Sequence, residues 1–76
     1  MSDTTYREAV AITTSNTDDI ATTMAIYVGG AGNLKVDMKG GNTVTFTAVP
    51  VGTVLEIKAT RVYATGTTAT NLLGLY

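Results

Sequence analysis

Adjacent carboxylates at Asp18 and Asp19, with Asp37 and Glu56 further along, are the groups of this chain best suited to acid–base work. Two-carboxylate hydrolysis needs such groups facing each other across a cleft. Neighbours in the polar run "TSNTDDIATT" read instead as solvated turn residues that bond their local backbone. Asn16, Asp18 and Asp19 lack the spaced ligands of a calcium loop. Nucleophilic catalysis has little to draw on, because the serines are Ser2 and Ser15 and no His is present to act as base. With no Cys either, the best transition-metal ligands and any disulfide are absent together. The chain does not read as an enzyme, and neither a metal nor a cofactor is expected.

Two further features invite a binding role. "GGAG" at residues 29–32 has the glycines of a phosphate loop but neither its Lys-Ser/Thr ending nor a following helix, so a hairpin or bulged turn is expected there. Tyrosines stand at 6, 27, 63 and 76, and exposed aromatics can stack on sugars or bases. Tyr27 and Tyr63 fall inside strand-like runs, where packing on a sheet face is the simpler role.

The elements that carry these residues show period-two alternation rather than a helical period. In "NLKVDMK", Leu34, Val36 and Met38 face one way and Lys35, Asp37 and Lys39 the other, as on a strand with one solvated face. In "NTVTFTA", Val44, Phe46 and Ala48 alternate with Thr43, Thr45 and Thr47, and the Gly-Gly pair in "KGGN" between the two runs predicts a hairpin turn. Pro50, the single proline, ends the second strand near Val49 and opens a corner that includes Gly52. From Val54 a long extended run places Leu55, Ile57 and Ala59 on one face, and Val62 and Ala64 then break the phase. Such a slip marks a β-bulge or a change of sheet. "MAIYVGG" reads as a strand with Met24, Ile26 and Val28 on one face, and "AVAIT" at 9–13 as a weaker one. After Gly66, "TTATNLLGLY" supplies a terminal apolar strand, which either fills the centre of its own sheet or adds to a neighbouring subunit. Either way, Leu73 and Leu75 are expected to be buried. About six strands with short connections predict a small antiparallel β-sandwich or barrel at 9–76, preceded by a polar arm at 1–8.

Bulk properties agree. At 76 residues the chain is one domain that buries about 60–65% of its unfolded surface, a thin core that favours association. Sixteen threonines give strands a polar face without charge. Charged residues make up 14% of the chain, the net charge is −1, and Arg7, Lys35, Lys39, Lys58 and Arg61 are scattered, which suits neither nucleic acid nor anionic lipid. The opening "MSDTTYREAV" is unlike a secretory signal, and no apolar run approaches the about 20 residues of a membrane helix, so a soluble, cytoplasm-made protein is expected.

Four ordered pieces within residues 26–76, "YVGGAGNLKV", "VTFTAVPVGTVL", "TRVYATGTTAT" and "LLGLY", resemble the head spike base proteins of gene transfer agents and related tailed phages. "TSNTDDI" is a weaker upstream match, and the chain departs from the family pattern at Thr14 and near Glu56, where proline would be expected. The resemblance implies a small all-β protein on the outside of the head at fivefold vertices. There, copies would form a ring, a pentamer, on the major capsid protein and be able to hold a separate head fibre. It brings no catalytic residues.

Contacts with sister subunits or the capsid are expected at three turns, which supply Gly29, Gly30 and Gly32, then Pro50 and Gly52, then Thr67, Thr68 and Thr70 in the 65–71 loop. Leu73, Leu75 and Tyr76 of the terminal strand complete this set. The competing readings are a cement protein at threefold positions and a host-glycan-binding module, the latter requiring Tyr27, Tyr63 or Tyr76 exposed on one face.

Overall fold

Among the residues described by the structure, 6–76 of a computed structural model, the chain forms seven strands and no helix. They are β1 (Ala9–Ala11), β2 (Ala25–Gly30), β3 (Gly32–Met38), β4 (Thr43–Val49), β5 (Thr53–Leu55), β6 (Ala59–Val62) and β7 (Thr70–Leu75). All pairings are antiparallel, giving one sheet ordered β1-β7-β2-β5 and a second ordered β4-β3-β6. The all-β class holds, with a two-sheet sandwich rather than a closed barrel. Residues 1–5 of the expected arm lie outside the described residues. Glu8 exchanges backbone bonds with Tyr76, at 2.9 and 3.3 Å.

The Gly-Gly hairpin forms as expected between β3 and β4, with Gly41 at a φ of +102°, where a side chain would be strained. Leu34 and Val36 are fully buried, and Met38 packs at the margin of the core. The alternation of β4 is interrupted by a bulge. Gly32 faces Val49 and Leu34 faces Phe46, so Asn33 opposes two residues. Ala48 takes a positive φ of 55°, and its N–H donates to Asn33 Oδ1 at 2.9 Å. Val49 therefore enters the core, and Ala48, expected on the Phe46 face, is exposed.

The run expected as one long strand from Val54 is two strands in different sheets. β5 ends at Leu55, residues 56–58 cross between the sheets, and β6 begins at Ala59. A second register shift, between Met38↔Ala59 and Asp37↔Arg61, returns Val62 to the core. The phase slip thus comes from the bulge, and the change of sheet lies just before it. Thr23, buried at 1% exposure, braces the crossing: its Oγ1 donates to the Ile57 carbonyl at 2.9 Å and accepts from the Ala59 N–H at 3.1 Å.

Residues 29–32 do not make a hairpin, because β2 and β3 belong to different sheets. They form a corner, and the loop before β7 presses against it. A Cβ on Gly30 would lie 1.9 Å from Thr70 Oγ1, and one on Gly32 would lie 2.5 Å from the Ala69 nitrogen. Met24 lies just before β2 and is 46% exposed, so the inward face of that strand belongs to Ile26 and Val28 alone.

Candidate assembly surfaces

β7 lies between β1 and β2, so the terminal apolar strand fills its own sheet and is itself paired on both sides. Register decides which of its side chains go inside. Leu72 sits opposite Val28 and Gly74 opposite Ile26, and all four are buried. Leu73 and Leu75, expected to be buried in this sheet or against a neighbouring subunit, alternate to the outer face and are half-buried in the single chain. Gly74 is the inward position that Tyr76 fills: a Cβ there would lie 2.9 Å from the Tyr76 hydroxyl, which itself donates to the Ala21 carbonyl at 3.2 Å.

Cross-strand partners share a face, so the outer surface of this sheet follows from the register. One row runs Ala11, Leu73, Tyr27, Val54 across all four strands. The next row runs Ala9, Leu75, Ala25, of which Ala25 is already fully covered. Val54 is 44% exposed, and neither row contains a charge. A shallow groove beside Leu73 is lined by Ala11, Ile12, Tyr27 and Asn71. The Tyr6 hydroxyl donates to Glu56 at 3.3 Å, tying the residues before β1 to those after β5. Desolvation, then the Glu56 carboxylate, pushes the Tyr6 phenol above its ordinary value.

The outer face of the three-stranded sheet is the opposite in chemistry. Asp37 on β3 accepts from Thr43 on β4 and lies 3.0 Å from the Tyr63 hydroxyl at both carboxylate oxygens. Arg61 holds Asp19 at 2.8 Å and approaches Asp37 at 3.8 Å. Lys35 Nζ stands 4.8 Å above the Tyr63 ring, within cation–π range. The hydrogen bond from Thr43 is the main force holding the Asp37 carboxyl below its usual range. Burial opposes that shift, and Tyr63, Arg61 and Lys35 add to it.

Asn16 pins the preceding loop to the same sheet, accepting from the Ala64 and Thr65 N–H groups at 3.1 and 3.0 Å. Sequence reasoning took this strand face as simply solvated and Asp19 as a turn residue. The i, i+2 pairs Lys35/Asp37 and Arg61/Tyr63 were a legible signal, but the register that joins them was not. Among the described residues no cluster of three His, Cys, Asp or Glu is gathered for a metal ion.

The three turns singled out in the sequence meet at one end of the sandwich. Gly30 faces Thr70, Gly32 faces Val49 just before Pro50, and the Gly52 N–H donates to the Val28 carbonyl at 2.7 Å. Thr67 and Thr68 spend their hydroxyls internally, accepting from the Lys35 N–H at 3.0 Å and the Asn33 N–H at 2.8 Å. Leu73, Leu75 and Tyr76 run away from this end, so the expected set divides into a turn cluster and a strand face. Tyr27 and Tyr63 lie on opposite outer faces, and Tyr76 is turned inward.

No family model and no curated protein matches the chain. A solved structure does, described as "Capsid of native GTA particle computed with C5 symmetry", GTA standing for gene transfer agent. The two are 36% identical with a TM-score of 0.85, over 95% of this chain and 84% of the other. The chain belongs to the family of that gene transfer agent capsid protein. It is a virion structural protein built as an all-β sandwich. As a capsid-family member it has, in its uncharged outer sheet face, a surface chemically suited to being covered.

Proposed function

We propose that this protein is a head spike base. It sits on the outside of the capsid at fivefold vertices as a pentameric ring on the major capsid protein, and it is able to anchor a head fibre. The observation that carries this reading is the likeness, over nearly the whole chain, to a capsid component in a particle computed with C5 symmetry. The apolar row Ala11–Leu73–Tyr27–Val54 supports it, since an uncharged face of that kind favours burial in an assembly over exposure as a free monomer. The turn cluster, with Gly29, Pro50, Thr68 and their neighbours, offers a second, charge-free contact region. The protein is made in the bacterial cytoplasm and ends on the head surface. Native mass spectrometry across a concentration range tests the reading, and a discrete pentamer is the expected result. A trimer would replace it with a cement protein at threefold positions.

A further inference from the structure

Four strands border the two sheets, and natural proteins protect such borders. β1 and β5 are three residues each. The free side of β6 is covered by the preceding loop: Ser15, Ile20 and Thr23 donate N–H bonds to the carbonyls of Val62, Thr60 and Ala59 at 2.9, 2.8 and 3.1 Å. β4 differs. It is seven residues long, carries no charge, and pairs only with β3 among the described residues.

The ladder phase shows which of its groups point outward. The Lys35 N–H turns to Thr67, and the Lys35 carbonyl accepts from Tyr63, both away from β4. Lys35↔Thr45 is therefore a non-bonded pair. Thr43, Thr45 and Thr47 consequently aim their backbone donors and acceptors at the open side. On β1, Glu8 exchanges bonds with Tyr76 and the Ile12 N–H reaches the Leu72 carbonyl. By the same alternation Ala9 and Ala11 aim theirs outward, and all of β1 is exposed.

The β4 and β1 edges lie on opposite flanks. β4 shares its flank with β5 through the short 50–52 connection, whereas β1 lies on the flank where residues 12–23 close over β6. We infer that the β4 edge of one copy receives β1 of the next copy as an added strand, an inference that rests on the ring reading above. A second copy is the occupant because this chain carries both halves of the contact: two uncharged edges, one of Thr and one of Ala, each with outward backbone groups that no other described residue engages. Joining unlike edges on opposite flanks is a heterologous contact, which propagates from copy to copy and closes into a ring.

Two measurements on the full chain decide it. Amide hydrogen exchange is read on the free protein at low and high concentration and on isolated particles, and native mass spectrometry compares wild type with Thr45→Pro and Thr45→Lys. Proline at position 45 removes only an outward N–H and so is tolerated at an edge. If it disturbs folding, Thr45→Lys and the wild-type exchange data still discriminate. The expected result is loss of the oligomer in both variants, with Thr43, Thr45 and Thr47 slowing together with Ala9 and Ala11 on assembly. A pentamer in which both strands exchange as fast as in the monomer overturns the edge contact and leaves the ring standing. Protection of β4 without β1 overturns the second copy as occupant in favour of a capsid strand. A protein that is monomeric both free and on the capsid overturns ring and contact together.

Discussion

Thr23 shows how one side chain settles a local path in this fold. Its hydroxyl is the buried partner of both the Ile57 carbonyl and the Ala59 N–H, where the chain passes from one sheet to the other. Replacing it with the isosteric Val leaves both groups unpaired, so Thr23→Val is expected to cost about 1–3 kcal/mol in urea unfolding, and Thr23→Ser less. Glycines at the 29–32 corner make a second, graded case. The atom that an added Cβ would meet at Gly30 is the Thr70 hydroxyl, which can rotate away, whereas at Gly32 it is the backbone of Ala69. Gly32→Ala should therefore lose about 1–3 kcal/mol, the usual scale of overpacking, and more than Gly30→Ala, read as the difference in denaturation midpoints.

At the scale of elements, the three-stranded sheet is stitched by the side chains around Asp37. Because that carboxyl titrates below its ordinary value when folded, the unfolded chain takes up the proton first as acid is added. The stability it contributes is fully present above the unfolded value of about 4 and fades as pH falls through the lower folded value. Asp37→Asn should lower the urea midpoint at neutral pH and flatten its acid limb below about pH 4. The elements also show what could be read in advance. The turn at 39–42, the stop at Pro50 and the inward set Leu34 and Val36 depend on local geometry, and each stands where the residues place it. The bulge at Ala48 depends on the Asn33 amide, the crossing at 56–58 on Thr23 from a distant loop, and the inward turn of Leu72 rather than Leu73 on the register with β2. None of these has a signature within its own segment. The candidate contact set fared similarly: its turns were visible one by one, but their convergence at one end is a property of the two-sheet arrangement.

The whole molecule is a sandwich whose outer faces differ: one carries the Asp37, Arg61 and Lys35 cluster, and the strand rows of the other carry no charge. Val54 lies on the uncharged side and is 44% exposed, so Val54→Lys should change the unfolding midpoint by less than about 0.5 kcal/mol. On the proposed function it should also weaken attachment to particles, measured by co-sedimentation. A different consequence follows from β7 being both late in the chain and central in its sheet. While residues 70–75 are still within the ribosome, β1 has no partner strand and one side of β2 stands open. Folding of this sheet must therefore wait until residues 70–75 have emerged. The pairs that complete it, such as Ala9 with Leu75, join residues far apart in the chain, which places folding toward the slow end for small domains. The delay bears on assembly as well: the β1 edge does not exist until β7 has entered its sheet.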